Sequence, residues 1–297
     1  MLMLYIEFRI HKGDRQMEDR QDTTNQLLYH YTDFSALDGI VNKQELRVNN
    51  VLNMNDATEM ELFITGVFNA VEKRFDPEEN GKIIQQLHVM REKVRERYFD
   101  FSIYAACFSG FRDDAAQWER YANQGKGVCL CFRKPVLEKM TGGAISLRKV
   151  YYQNDMDSHP LVEHVYNLVL KSEGKDDSPA LREALHEAWR NCATFKHPSF
   201  LSENETRLIV MPFEVEYFEI KPQYHITKER IKKYYPLDLN TMCLKADVTL
   251  EDLITEIMIG PESTQSAPIL RDYLQDLGLR RLAEHIINSD CPLRSRI

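Results

Sequence analysis

No G-x-G-x-x-G opens any helix in this chain, and it holds no P-loop, no H-E-x-x-H and no G-x-S-x-G. The signatures of the commonest dinucleotide folds, kinase-like folds, zincins and hydrolases are therefore missing. None of the six cysteines (Cys107, Cys129, Cys131, Cys192, Cys243, Cys291) stands in C-x-x-C spacing, which excludes the usual zinc and redox motifs. Cys129 and Cys131 are two apart in a strand-like run, share one face there and read as core. That usage fits a reducing compartment, and a cytoplasmic location is the expectation. Basic charge is not in surplus: 38 Lys and Arg against 46 Asp and Glu give a net charge of -8. Such a surface repels a phosphate backbone on average, so contact with nucleic acid would need a local basic patch. Long apolar runs are absent too. The opening MLMLYIEFRI contains Glu7 and Arg9 and lacks a basic segment before it, so it is neither a membrane span nor a secretory signal. No membrane partner is expected. Met17 begins a polar stretch that would serve equally as a start. With no linker rich in Gly, Ser or Pro, residues 27–297 read as one domain, and residues 1–26 as an arm that need not be ordered.

What is present alternates between two periods. LLYHYT reads as a strand, DFSALDGIVNKQ as a helix and ELRVNNV as a second strand. Residues 58–98 read as a helical insertion, its second helix laced with charges of both signs. FSIYAACFSG reads as a buried strand ending at Ser109-Gly110, DDAAQWERYANQ as a helix with Trp118 and Tyr121 on one face, and VCLCF as a strand after the Gly125-Lys126-Gly127 turn. A helix near 134–140, a strand near ISLRKVYY and a second helical insertion over about 159–195 follow. TRLIVMPF, EVEYFEI, the run before Gly260-Pro261 and a final edge element are the remaining strands, with a helix over APILRDYLQDLG. Several strands lie too close in sequence for crossover helices. The fold class is α+β, with a mixed, largely antiparallel sheet and helical insertions.

Two clusters carry candidate chemistry. In a strand, His30 points opposite to Tyr29 and Tyr31. A lone strand histidine is either a satisfied structural group or a donor to a ligand hydroxyl and general acid or base. Glu203, Glu205 and Arg207 also alternate, so two carboxylates and a guanidinium could share a face entering the core, where a carboxylate is costly unless paired or used. Trp118 and Tyr121 read as core aromatics or as a wall for a flat ring. Asn55, Asp56 and Glu59 read as a capped helix start or a ligand contact. Arg112 and Arg133, near strand ends, could meet phosphate.

The set Leu28-Tyr29-His30-Tyr31-Thr32, Asn55-Asp56-x-x-Glu59, Cys107-Phe108-Ser109, Trp118-x-x-Tyr121-Ala122, Gly127-Val128, Glu203-x-Glu205-x-Arg207-Leu208 and Ile259-Gly260-Pro261 resembles a large bacterial family of uncharacterised cytoplasmic proteins, over about residues 27–290. The layout in turn resembles the ADP-ribosyltransferase superfamily, the DarT-like nucleic-acid modifiers in particular. The resemblance implies an ADP-ribosyltransferase-like fold that moves ADP-ribose from NAD to a macromolecular acceptor, protein or nucleic acid, as a toxin or phage-defence effector. Carried over by position, Glu205 is the catalytic carboxylate, Glu203 positions the acceptor, and His30 holds a ribose hydroxyl, with Tyr31, Thr32 and Arg207 also at the cofactor. Ser109 or Phe108 at the end of the CFS strand, or Tyr121 on the next helix, fills the middle element, and Trp118 is a further cofactor contact. A carboxylate beside the nicotinamide ribose suits the chemistry, because breaking the glycosidic bond develops positive charge there. NAD enters as substrate, and no metal is needed. The NAD readings, glycohydrolase included, require His30 and Glu205 to line one cleft with the aromatics. The alternatives are a hydrolase or nuclease that uses Glu203, Glu205 and His30 without NAD, and a non-catalytic nucleotide- or protein-binding module.

Overall fold

The computed structural model describes residues 26–292, apart from 52–56, 101–102, 153–155, 173–174, 176–177, 212–220 and 227–229. The chain opens with β1 (Leu27–Thr32), α1 (Phe34–Val41) and β2 (Glu45–Asn50), and the helix starts where the Asp33 carboxylate accepts the Ala36 N–H at 2.8 Å. The antiparallel pair α2 (Ala57–Glu72) and α3 (Gly81–Asp100) follows. Then come β3 (Tyr104–Ser109), α4 (Ala115–Tyr121), β4 (Val128–Arg133), α5 (Lys134–Lys139), β5 (Ile145–Lys149) and β6 (Tyr151–Tyr152). After α6 (Pro160–Lys171), α7 (Pro179–Asn191) and β7 (Phe195–Lys196), a 3-10 turn over Pro198–Glu203 delivers the chain to β8 (Glu205–Val210). The last third holds β9 (Gln223–Ile226), β10 (Ile231–Asp238), α8 (Leu239–Ala246), α9 (Leu250–Leu253), β11 (Ile254–Ile259), α10 (Ala267–Asp276), α11 (Arg280–Glu284) and β12 (Ile286–Asn288).

Ten of these strands form one sheet, in the order β12-β11-β4-β1-β3-β2-β10-β9, with β8 and then β5 branching from β3. Every pair in it is antiparallel except β11 with β12. The branch arises at β3. Along one edge it meets β1 only at Ser109, opposite Tyr29, and β2 only at Tyr104 and Ala105, opposite Asn50 and Asn49. Along its other edge it pairs with β8 throughout, from Tyr104 opposite Val210 to Ser109 opposite Glu205. The expected mixed, largely antiparallel sheet is present.

Period-2 alternation then sorts the side chains. On one face Leu28, Tyr104, Ala106, Phe108, Leu130, Phe132, Leu208 and Val210 form a core with α1, α5 and α8 to α11. On the other face Ala105 and Ile209 pack under α2, α3, α6 and α7, while Tyr29, Tyr31, Cys129 and Cys131 pack under Trp118 of α4. In α6, Val162, Val165 and Val169 follow helical spacing and are fully buried. Each such side chain contributes about 1.5–3 kcal/mol of transfer free energy. Both helical insertions therefore cover the same side of β3 and β8. The run ISLRKVYY is not one strand: β5 belongs to the main sheet, whereas β6 pairs in parallel with β7 in a two-stranded sheet. The EVEYFEI run lies outside the described residues.

Candidate functional site

The glutamate end of β8 is built by a change of hand in the backbone. Asn204 is left-handed (φ 42°) at the end of the 3-10 turn, and its carbonyl accepts the Gly110 N–H at 2.9 Å. A Cβ on Gly110 would lie 2.2 Å from the Asn204 side-chain nitrogen, so that amide would have to move aside. Glu203 thus stands on the turn and Glu205 on the strand, and both carboxylates converge on Lys196 of β7. The ammonium lies 2.6 Å from Glu203 Oε2 and 3.2 Å from Glu205 Oε2. Arg207 grips Glu205 in a fork, with Nε to Oε1 at 2.7 Å and a terminal nitrogen to Oε2 at 3.1 Å, and donates to the Ala193 carbonyl at 2.8 Å. From α4, Arg120 and the Tyr121 hydroxyl reach Glu203 Oε1 at 2.9 and 3.0 Å. Ser109 donates to the Glu203 carbonyl at 2.9 Å, and the Tyr152 hydroxyl accepts the Glu205 N–H at 2.7 Å.

Glu203, Glu205, Lys196, Arg207 and Ser109 are all buried, so these charges are stable only as a set. Burial alone would raise the Glu205 carboxyl; the Arg207 charge and hydrogen bond, with Lys196, outweigh it and hold it at about 2. Glu205 is therefore a fixed anion at neutral pH. It cannot act as a general acid there, but it can stabilise positive charge. Burial pushes the Cys107 thiol well above its usual range, and the neighbouring Glu205 adds to that. Burial likewise raises the Tyr121 and Tyr152 phenols. Two parts of the network touch solvent: the Arg120 side chain is 47% exposed and Tyr121 45%.

The structure brings Glu203, Glu205, Arg207, Ser109 and Tyr121 together. It does not bring His30 to them. His30 and Thr32 alternate onto the opposite face of the sheet, where the imidazole packs on Phe108 at 5.4 Å and on Phe132 at 6.2 Å. Its Nδ1 donates to the Cys107 carbonyl at 2.9 Å, at the place where β1 peels away from β3. Burial lowers the His30 pKa, so the ring is neutral and serves as a backbone patch in the opened ladder. The single cleft shared by His30 and Glu205 is not formed, because Tyr29 lies opposite Ser109 and Ser109 opposite Glu205, which puts Glu205 on the Tyr29 face, and His30, one residue on, faces the other way.

Two aromatics also part company. Trp118 is fully buried, edge-on to Tyr31 at 5.0 Å, with its indole N–H on Asp113 at 2.7 Å, so it is core and not a stacking wall. The Tyr31 hydroxyl is engaged by the Phe111 carbonyl at 2.9 Å and the Asp114 N–H at 3.0 Å. Arg112 is engaged by Glu256 at 3.0 Å on both carboxylate oxygens, beside a shallow open depression of about 370 Å³ floored by Tyr29 and Cys131. Arg133 ends β4 with its side chain exposed. Asn55 and Asp56 lie outside the described residues, as does the side chain of Glu59. Lys196 and Arg120 were missed by sequence reasoning. Lys196 sits in a two-residue strand between a 3-10 turn and a proline, and nothing in the mixed run Ala193 to Phe200 marks it as buried.

Among the described residues, no group of three or more His, Cys, Asp or Glu side chains could hold a metal ion, and no helix is long and apolar enough to cross a membrane. Residues 117–208, which run from α4 through β8, match a family model described as a protein of unknown function (DUF2971). That stretch contains Arg120, Tyr121, Lys196, Glu203, Glu205 and Arg207. Neither the curated proteins nor the solved structures hold a match to this chain.

Proposed function

We propose that the chain transfers ADP-ribose from NAD to a macromolecular acceptor through the glutamate face of the sheet alone; the cleft shared with His30, which the resemblance requires of an NAD site, is not formed, so this reading sets that requirement aside and rests on the glutamate pair. The observation that carries this reading is the pair Glu203 and Glu205, converged on Lys196 at the end of β8 with Tyr121 at the solvent boundary. Cleavage of the nicotinamide glycosidic bond places positive charge on the ribose, and a preorganised carboxylate lowers that barrier without moving a proton. Glu205, held by buried Arg207 and Lys196, sets the field and the geometry. Glu203 is the carboxylate nearer solvent, because its Oε1 takes its hydrogen bonds from the half-exposed Arg120 and Tyr121, which would have to move aside for a ribose hydroxyl to reach it. The roles within the E-x-E pair are thus the reverse of those implied by the family resemblance.

One observation favours a second reading, a non-catalytic nucleotide- or protein-binding module. Donors of the chain itself occupy all four carboxylate oxygens of the pair, which is how a structural pin between α4 and the helical insertion would look. Nicotinamide release from NAD by the purified chain, with a mixed cell extract as acceptor, separates the two. Release that rises with extract and is abolished by Glu203→Gln fits the transferase; release independent of extract fits a glycohydrolase. No release, together with no rise of melting temperature under millimolar NAD, leaves the binding module.

A further inference from the structure

Helix α4 turns one more polar side chain toward the glutamate network than the network uses. Gln117 stands three residues before Arg120 and four before Tyr121, so at about 100° per residue its side chain lies between theirs. That is the stripe of the helix that reaches Glu203, while Trp118 and Ala122 face the sheet. Gln117 is 5% exposed. Its main-chain N–H is taken by the Asp114 cap at 3.0 Å, but its side-chain amide hydrogen-bonds no group among the described residues and is not sealed from solvent. The segments that frame this spot, 103–152 and 195–211, are described without a gap. A buried amide without a partner costs stability, and a leucine would fill the same space without that cost. Arg120 and the Tyr121 hydroxyl are engaged by Glu203, whereas the Gln117 amide holds an unused N–H beside an unused carbonyl, in one plane.

We infer that Gln117 reads the carboxamide of nicotinamide, amide to amide, an inference that rests on the reading of the chain as an NAD-cleaving transferase. The Gln117 Nε2–H donates to the ligand carbonyl, and the ligand amide N–H donates to Gln117 Oε1. A primary carboxamide matches both halves of the side chain at once, which a carboxylate cannot. One helical turn, about 5.4 Å, separates Gln117 from the contacts to Glu203. A ring held by its carboxamide at Gln117 therefore leaves its glycosidic bond on the Glu203 side. The adenine edge also offers a donor beside an acceptor, but it stands at the far end of the dinucleotide from the bond that Glu203 serves. Gln117 is thus a specificity residue, selecting the carboxamide form of the dinucleotide.

The test is isothermal titration of the full chain and of Gln117→Leu with three dinucleotides: NAD, nicotinic acid adenine dinucleotide, in which a carboxylate replaces the carboxamide, and nicotinamide hypoxanthine dinucleotide, altered only on the adenine edge. The parent is expected to bind NAD at least about tenfold more tightly than the acid, which sets an oxygen against the Gln117 carbonyl, and to bind the hypoxanthine form within about twofold of NAD. Gln117→Leu is expected to lose that discrimination, with NAD weakened at least about tenfold and the melting temperature of the free protein unchanged or raised. Discrimination kept in Gln117→Leu, or a preference that follows the adenine edge, would overturn the inference and leave the transferase reading standing. A melting temperature lowered by Gln117→Leu would show an amide tied to the protein and overturn it likewise. Gln117-dependent binding without nicotinamide release would sink the transferase and keep the carboxamide site, whereas no binding of NAD by the parent would overturn both.

Discussion

The two faces of the sheet around β3 solve the same problem, buried polar groups, in opposite ways. On the His30 face a single neutral ring repairs a gap in the backbone ladder and is otherwise wrapped in Phe108 and Phe132. On the glutamate face two carboxylates, a lysine and an arginine are buried together and can exist only as a group. The first arrangement costs little to build and offers no chemistry. The second is costly in desolvation and fixes a field, which is what an electrostatic site needs. The comparison teaches that the polar residue most visible in a sequence motif need not belong to the buried charged network: His30 was the obvious candidate, while the centre of the network is Lys196.

The sharpest way to break the comparison is to unbalance the charged face. Arg207→Met and Lys196→Met each leave buried carboxylate without its partner and are expected to cost about 3–5 kcal/mol by denaturant titration. A loss below about 1 kcal/mol would show that the network is not coupled as described. On the other face, His30→Phe leaves the Cys107 carbonyl without its donor and is expected to cost about 1–3 kcal/mol, with no effect on nicotinamide release from the folded protein. At the solvent boundary Arg120→Ala is expected to change stability by at most about 1 kcal/mol, because half-exposed ion pairs are screened.

Acid sharpens the same contrast. The folded Glu205 pKa lies near 2, below the usual 4.5, so its contribution is fully present above pH 4.5 and is lost as pH falls from there toward 2. The His30 pKa is also depressed, below 6.5, so its contribution is present above pH 6.5 and begins to fall away at once below it. Melting temperature should therefore decline in two stages on acidification. His30→Phe should shrink the one that starts at pH 6.5, to which buried His159, also depressed, contributes as well, and leave the one that starts at 4.5.

Much of the layout was legible. Period-2 runs around Leu28, Phe108, Leu130 and Leu208 marked the central strands, and turn chemistry at Gly125 and Gly127 marked the connection before β4. The alternation of His30 against Tyr29 and Tyr31 was also readable and correct. What a single strand could not reveal was its register against β3 and β8, and register alone decides that Glu205 joins Ser109 and Tyr29 on the face His30 leaves. The 3-10 turn at Pro198–Glu203 was read as an approach to a strand, because its apolar residues do not betray the left-handed Asn204 that turns Glu203 toward Lys196. Trp118 and Tyr121 are three apart on a short helix, yet one is sealed under Tyr31 and the other lies at the solvent edge. The β9–β10 hairpin was not foreseen, since Pro222 and Pro236 interrupt the patterns that would mark its strands.

The central claim is the proposal that any release of nicotinamide from NAD depends on the glutamate face and not on the His30 face. The most direct measurement is the initial rate of nicotinamide release from NAD by the parent chain, Glu203→Gln and His30→Phe, each first shown to be folded by circular dichroism at the assay temperature. The account predicts a rate reduced at least a hundredfold, about 2.7 kcal/mol, by Glu203→Gln and unchanged within about twofold by His30→Phe. Loss of release in His30→Phe with Glu203→Gln still active would contradict it.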